Sequence, residues 1–563
     1  VTGRTRSGKE PGDWQSAFLA QLREAVASAA DAFPRLTRGP AVAGYTTSRL
    51  TIDTTGMALE PGGLVVQARE DVVVMVDGSF LTPPLVYVEH LRFKGYPHVL
   101  TGNQLCIYLD PAREWDPERG AAGFLDRLYR WFEDAVAARF DARTALFHPV
   151  GGRPHTSPGA PMIVCREPIH PSEDLSLAYL TTRSPRRRDL RPSRSEVEPG
   201  DPIVFVRTPE PLDLGPGSTP AELFAQLGQP LAAQAQAAFT NRLKRAAAAG
   251  DDHVYLAAGV PRPHSEDLYL LVGQVSLTEA KANPTLPLSQ LEIRWCTVSD
   301  ERPGIATRRD ANRPVQAYQG KRVAILGCGG LGSWIAEFIA RANPSAIELS
   351  DYATVTGGLL VRQNYSDSHI GYPKAEALAQ RLRQVATDVT VTVNETGALS
   401  EDTKQALRNP DGIVIDCTVS LAMAQVLDLA VPPSERRGLL AQVATDIASG
   451  SLGLVVVSPG GRSVSVRDLD TFVGREVNRD PSLEAYNTFW ADRTEDELVV
   501  NPGCSLPTFH GSAADMAAVA AEQVNLIALH VGTDISAAHL LALPHSGVQP
   551  AHRAVVMPVS AQG

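Results

Sequence analysis

The chain has 563 residues, of which 44% are hydrophobic and 20% charged, and a formal net charge of −11. That length predicts three or four globular domains, and the negative balance excludes a chain that binds nucleic acid through bulk charge. No apolar run of about 18 residues escapes a charge or a break, so no membrane span is expected.

The six cysteines, Cys106, Cys165, Cys296, Cys328, Cys417 and Cys504, lie far apart in the sequence. No C-x-x-C pair exists, so no structural zinc is expected. Few, scattered thiols fit a reducing cytoplasm. Residues 1–12, VTGRTRSGKEPG, are polar and glycine-bearing with no apolar core. They read as a disordered tail and not as a signal peptide.

From residue 13 onward the elements follow in order. Phe18, Leu19, Leu22, Val26 and Phe33 recur at near-helical spacing and predict a helix across 14–33. Strand-like runs follow at 48–53, 63–68 and 71–76, broken by glycine and proline turns. The next stretch carries a Pro-Pro pair, a short strand, the tripeptide Tyr96-Pro97-His98, then Cys106 and a W-x-P from Trp115 to Pro117. An amphipathic helix is predicted over 121–139, with Phe124, Leu125, Leu128, Trp131, Phe132 and Val136 on its apolar face. Residues 151–200 are turn-rich, and the six arginines between 183 and 194 read as a solvated loop. Strands are predicted at 161–165, 175–181, 202–207, 253–258 and 268–277, and a helix over 220–248. Residues 151–310 thus read as an α/β linker domain with no catalytic constellation. Cys165 and Cys296 have apolar neighbours and are expected to be structural.

The most informative stretch is 321–374. It reads as a buried strand, Arg322–Leu326, a glycine turn, a helix over Ser333–Ala342, and a second strand, Ala346–Ser350, ending at Asp351. Gly327, Gly329 and Gly332 stand in G-x-G-x-x-G spacing, with Gly330 inside the turn. Such a βαβ unit turns backbone N–H groups and a helix N-terminus toward a phosphate, and the acid after the second strand can hold ribose hydroxyls. Alone, the motif defaults to NAD binding. The surroundings argue for a nucleoside triphosphate with magnesium: Arg362 and Gln363 follow the acid, Lys374 stands in GYPK, and Asp416 ends a strand in GIVIDCT. Cations there can stabilise charge on a transferring phosphorus, and Asp416 can hold the metal. Beyond Lys374 the pattern predicts a helix to about 384 and strands at 389–393, 412–416, 439–443 and 452–457. A long loop is expected over 460–500, and a helix from near Gly511. Cys504 lies among polar and turn residues in NPGCSLPTFHG, close to that helix start, a setting that favours thiolate.

The order GCGGLG, LSD, LLVRQ, YPK, DCT resembles the E1/ThiF/MoeB adenylating family across roughly 311–563. One departure is plain: the family's asparagine before L-x-R-Q is Leu359 here. The resemblance implies a Rossmann-like adenylation domain using ATP and Mg2+. Gly327, Gly329, Gly330, Gly332, Asp351, Arg362, Gln363, Lys374 and Asp416 would surround the nucleotide, with Asp416 on the metal. It also implies homodimerisation, an arginine near Arg308, Arg309 or Arg313 reaching across the dimer, and Cys504 as the residue that takes the acyl group from the adenylate. Residues 13–150 resemble the E2 (UBC) fold, an α+β domain. There the family's H-P-N slots hold Tyr96, Pro97 and His98, which implies a thioester on Cys106 and His98 in the place of the oxyanion-stabilising asparagine.

Together the two halves resemble the E2–E1 fusions of bacterial ubiquitin-like conjugation, including those of CBASS anti-phage operons. That resemblance implies an α/β and α+β multidomain enzyme with boundaries at 1–12, 13–150, 151–310 and 311–563. Its partners would be a ubiquitin-like protein or a cGAS-like nucleotidyltransferase, carried by its C-terminus, and an acceptor lysine. It would work in the cytoplasm without membrane or nucleic acid. Two other readings stay open: a sulfur-carrier (ThiS/MoaD-like) adenylyltransferase, and a non-catalytic nucleotide-binding scaffold for which Leu359 speaks.

Overall fold

In the computed structural model the described residues run from 13 to 558, apart from 43, 91, 94–95, 141–149, 151–155, 170–172, 197–199, 213–214, 263–265, 279–280, 282, 284–285, 304, 306–309, 462–463 and 492–510. They fall into two units, Val1–Thr307 and Arg308–Gly563.

The first sheet of the N-terminal unit is an antiparallel meander. Its strands are β1 (Arg35–Arg38), β2 (Tyr45–Asp53), β3 (Arg69–Asp77), β4 (Leu85–Tyr87), β5 (Val99–Leu100) and β6 (Gln104–Leu105), in the order β1-β2-β3-β4-β6-β5. Three helices belong to it: α1 (Asp13–Ser28), α2 (Pro111–Glu114) and α3 (Gly120–Val136). Alternation along β3 sends Val72, Val74 and Val76 into one core with Phe18 and Leu22 of α1 and Phe124, Leu128 and Phe132 of α3. Each such side chain stabilises the fold by about 1.5–3 kcal/mol on burial. Helix α1 ends sooner than its spacing predicts, and Phe33 reaches the same core from the turn beyond. The strand expected at 63–68 does not form. That segment is tied instead to the end of α3: Leu64 N–H donates to the Ala135 carbonyl at 2.8 Å, and a Cβ on Gly63 would lie 1.9 Å from the Val136 oxygen.

A second sheet follows: β7 (Met162–Cys165), β8 (Leu175–Ser184), β9 (Arg187–Arg191), β10 (Asp201–Arg207), β11 (His253–Pro261), β12 (Leu268–Ser276), β13 (Ile293–Trp295) and β14 (Val298–Asp300), ordered β13-β12-β11-β10-β8-β9-β7-β14. The arginine-rich segment is therefore not all loop. Asp189 accepts from both Arg183 and Arg187 at 2.8 Å, and Leu190 is buried, so β9 pairs as an ordinary strand. The helix expected over 220–248 is two, α4 (Pro220–Ala225) and α5 (Leu231–Ala249). Gly228, at φ 73, turns the chain out of the helix, and Pro230 lacks the N–H to continue it. Cys165 and Cys296 are buried, and burial pushes both thiols up to about 12.

The C-terminal unit is built on a third sheet. Its elements run β15 (Arg322–Leu326), α6 (Gly332–Arg341), β16 (Ala346–Ser350), α7 (Lys374–Val385), β17 (Thr390–Asn394), α8 (Glu401–Arg408), β18 (Gly412–Asp416), α9 (Leu421–Ala430), β19 (Leu439–Thr445), β20 (Leu452–Ser458), α10 (Val466–Arg479), α11 (Ala513–Ala528), β21 (Ala537–Ala542) and β22 (His552–Val556). The order is β17-β16-β15-β18-β19-β20-β21-β22, parallel as far as β19 and antiparallel beyond. The central parallel strands β15 and β18 are buried on both faces and read as near-continuous apolar runs, whereas β17 at the edge alternates. Helix α10 occupies part of the stretch expected as a loop, and buries Val466, Leu469, Val473 and Val477. No helix among the described residues is long and apolar enough to cross a membrane.

Three histidines join the end of α11 to the last hairpin. His530 Nδ1 lies 3.1 Å from the Ile535 carbonyl, its Nε2 lies 2.8 Å from His539 Nε2, and His539 Nδ1 lies 3.1 Å from His552 Nε2. A carbonyl only accepts, so in the neutral chain His530 carries its proton on Nδ1, while His539 and His552 carry theirs on Nε2. A further proton on His530 or His539 sets two donors face to face unless the neighbouring rings shift their own protons to the other nitrogen. Burial, reinforced by the neighbouring His530 and His552, lowers His539 to about 4. An unfolded histidine titrates near 6.5, so below that pH the unfolded chain holds a proton that the folded chain refuses. Stability contributed by His539 is thus present above about pH 6.5 and is lost as the pH falls toward about 4. The urea midpoint of the C-terminal unit should drop between pH 7 and pH 5 by the equivalent of at most about 2 kcal/mol, and the slope should flatten in His539→Gln. An unchanged slope in that variant would remove His539 as the cause.

Candidate active sites

The sheet order reverses at β15: β16 and β17 lie on one side, β18 and β19 on the other. In open α/β sheets this switch point, at the carboxyl ends of the strands, is where ligands bind. The glycine turn sits there. Gly327 adopts φ 86 and donates to the Ser350 carbonyl at 2.7 Å. A Cβ on Gly332 would stand 1.9 Å from the Gly327 oxygen, whereas nothing lies within 4 Å of one on Gly329. Two glycines are thus demanded by close packing and one faces open space, with Gly330 part-exposed beside it. Helix α6 then points its N-terminus at the same place.

Asp351 and Asp416 flank this turn. Asp351 accepts from the N–H groups of Cys328 and Ala353, both at 2.7 Å, and so fixes the turn and its own loop together. Asp416 is aligned with Leu326 in the β15–β18 register. Its carboxylate is 1% exposed and accepts from Thr418 N–H at 2.9 Å, Thr418 Oγ1 at 2.6 Å and Gln442 Nε2 at 2.9 Å. Burial raises its pKa, against the opposing pull of these donors.

The loop from Asp351 to Lys374 folds back on itself. Val355 donates to Tyr372 O at 2.9 Å, and Lys374 N–H to Ala353 O at 2.8 Å. This brings the first residue of α7 to the strand-end acid. The Lys374 ammonium is close enough to pull the Cys328 thiol down against burial. Arg362 and Gln363 are buried, and the Arg362 carbonyl accepts from Trp334 Nε1 of α6 at 3.2 Å. Burial lowers the Arg362 pKa. Cys504, Arg308 and Arg309 lie outside the described residues.

Sequence reading missed three supports of this site. The Tyr365 hydroxyl lies 2.7 Å from the Cys328 carbonyl and 3.3 Å from that of Lys374, tying glycine turn to lysine. Gln442 reaches Asp416 from β19. Glu337, on the buried face of α6, receives Asn364 Nδ2 at 2.6 Å and Arg381 Nε at 2.5 Å, anchoring the segment after Gln363. Only Glu337 carried a signal, as a lone acid within the apolar WIAEFIAR.

In the meander domain, Cys106 lies at the centre of a tight turn. Ile107 N–H donates back to Leu105 O at 3.1 Å, and Cys106 N–H donates to the His98 carbonyl at 2.8 Å. The thiol is part-exposed and donates to Tyr108 O at 3.4 Å. Burial and Glu114 raise its pKa, and Arg127 opposes them. His98 has φ 62, and its ring lies edge-on to Phe140 with centroids 4.6 Å apart. Its Nδ1 has no hydrogen-bond partner among the described residues, and burial, then Arg127, lower its pKa. Trp115 Nε1 donates to the Phe80 carbonyl at 2.8 Å, pinning the W-x-P element.

Residues 311–432 match the ThiF family and residues 47–159 match prokaryotic E2 family A. One polypeptide thus carries an E2-like segment and, after it, a ThiF-type segment. Among characterised proteins it is similar to the ATP-dependent ubiquitin transferase-like protein Cap2 of Enterobacter hormaechei subsp. hoffmannii, 32% identical over 135 residues, 23% of this chain and 22% of Cap2. It is also similar to the molybdopterin-synthase adenylyltransferase of Salmonella typhimurium, 31% identical over 115 residues, 20% of this chain and 45% of that enzyme. The chain thus spans less than half the length of these relatives. Escherichia coli MccB with ATP is 16% identical over 44% of this chain and 68% of its own, with a TM-score of 0.30.

Proposed function

We propose that this chain activates the C-terminal carboxylate of a protein with ATP and passes it, through two cysteines, to an amine. The observation that carries the proposal is the buried Asp416 beside a glycine turn at the sheet's switch point, in a chain that also holds a cysteine-bearing E2-like domain. On this reading the chain divides into a tail (1–12), an E2-like domain (13–150), a linker domain (151–310) and an adenylation domain (311–563).

The residues fit the nucleotide. Gly329 leaves room where phosphate needs backbone N–H groups, and Gly327 and Gly332 stand where no side chain fits. Mg2+ takes one or two carboxylates with phosphate and water oxygens, so the single buried Asp416 suits it. When bound, the ion would neutralise charge on the phosphates. Asp351 would hold the ribose, and Arg362, Gln363 and Lys374 would face the phosphates. A carboxylate oxygen attacks the α-phosphorus, and the bond to pyrophosphate breaks. The Cys504 thiolate then attacks the acyl carbon and AMP leaves. Cys106 displaces Cys504 by thioester exchange, and a lysine amine displaces Cys106. Each thioester divides one difficult transfer into easier ones. His98 stands where the E2 resemblance puts the oxyanion donor, and its neutral ring keeps one N–H to donate.

The E2-like domain favours protein conjugation over sulfur-carrier activation, since sulfur transfer gives Cys106 no task. The likeness to Cap2 favours a bacterial ubiquitin-like or CBASS setting, in which the carried protein is a ubiquitin-like protein or a cGAS-like nucleotidyltransferase and the enzyme is a homodimer. The test is exchange of labelled pyrophosphate into ATP by the full chain, with candidate carrier proteins ending in a free C-terminus. Exchange that depends on the carrier's last residues is expected. Its absence with every carrier encoded beside this chain would favour the scaffold.

A further inference from the structure

The side chain that most constrains Cys106 is not in the tripeptide before it but on the helix after it. Arg127, on α3, donates from Nε to the carbonyl of Ile107 at 2.6 Å and from Nη2 to Glu114 Oε2 at 3.2 Å. Its guanidinium also lies 6.0 Å from the Tyr108 ring centroid. Ile107 is the residue that closes the turn centred on Cys106, so the same turn is clamped from both sides: its N–H bonds Leu105 and its carbonyl bonds Arg127. Glu114 in turn accepts from the N–H groups of Leu109 (3.2 Å) and Asp110 (3.3 Å), which fixes the loop leaving the cysteine.

From this geometry we infer that Arg127 is a positioning residue for Cys106, and that the Arg127–Glu114 pair sets the reactivity of the thiol with two opposed charges. The inference rests on the reading of Cys106 as an acyl carrier. The resting thiol donates to a carbonyl, and that carbonyl repels a thiolate. A cation nearby lowers the cost of the thiolate, and an anion raises it. Among the described residues, the titratable or charged groups set against this turn are Arg127 on α3, Glu114 on α2, Tyr108 on the turn and His98 before β5. Burial raises Tyr108 to about 12 and lowers His98, so near pH 7 both are neutral and the field comes from the opposed pair. Stability does not explain the pair. Arg127 and Glu114 side chains are 38% and 33% exposed, and an ion pair of that kind contributes about 0–1 kcal/mol.

The experiment is the pH dependence of iodoacetamide alkylation at Cys106 in the full chain, read by mass spectrometry of the peptide that contains it. Arg127→Gln should raise the midpoint by about half to one pH unit, and Glu114→Gln should lower it by a similar amount. Arg127→Lys keeps the charge without the fork and should stay near the wild-type midpoint. A role in holding the fold alone moves neither midpoint in opposite senses. Equal midpoints in wild type and both glutamine variants, or shifts in the same direction, would overturn the inference. Thermal melts of Glu114→Gln, whose side chain lies on the surface, guard against misfolding as the cause. The alkylation readout needs no carrier protein. Opposite shifts without any thioester on Cys106 would therefore keep the positioning role and reject the proposed conjugation.

Discussion

Asp416→Asn should abolish carrier-dependent pyrophosphate exchange and leave the domain folded. The expectation follows from the surroundings of the carboxylate. One oxygen already receives the N–H and hydroxyl of Thr418, and the other receives Gln442 Nε2. Asparagine keeps an acceptor for Thr418, and the Gln442 amide can turn to present its oxygen to the new NH2 group. The network thus survives while the negative charge is gone. Without that charge nothing at the strand end attracts the ion that neutralises the phosphates, and exchange should fall by about 10³-fold or more. Asp416→Ala should lose exchange too, with added destabilisation, because it strands Thr418 and Gln442 beside a cavity. Wild-type exchange in Asp416→Asn would end the assignment of this residue to the metal.

The second large effect separates the cysteines. Cys504→Ala should support exchange at the wild-type rate and form no thioester anywhere in the chain, because adenylate formation precedes the first thiol. Cys106→Ala should accumulate carrier on Cys504, visible as a reductant-sensitive band on a non-reducing gel, and should make no conjugate. The two variants fail at different points of one path, so each controls for the other. Normal conjugation by Cys106→Ala would remove the E2-like domain from the chemistry and turn the reading toward sulfur-carrier activation.

Much of the fold around the glycine turn was legible before any fold was seen. The expected strand-turn-helix-strand over 322–350 differs from β15, α6 and β16 by one residue at each end of the helix. Parallel strands buried on both faces leave unbroken apolar runs, and a phosphate turn leaves glycines at fixed spacing, so sequence alone carries both. Helix α10 was legible in principle, since Val466, Leu469, Val473 and Val477 recur at helical intervals. The charged residues between them gave it the look of a loop. Strand β9 was hidden the same way, because arginines satisfied by Asp189 behave as strand residues only once β8 is beside them. Arg127, Tyr365 and Gln442 left no trace at all. Each is defined by a partner many residues away, and only the fold brings the two together.

The sheet orders also set a timetable. In the meander, β1, β2, β3 and β4 each pair with the strand before or after them, so this part can form soon after it leaves the ribosome. The central strand of the third sheet has no such freedom. Arg322 of β15 lies between Ala346 and Gly412, and β20 waits for β21. The residues at the carboxyl ends of β15, β16 and β18 are thus translated long before the far side of their sheet exists. The turn around Cys106 thus rests on strands close by in the chain, whereas the strand end that holds Asp416 rests on a sheet closed only by residues far downstream.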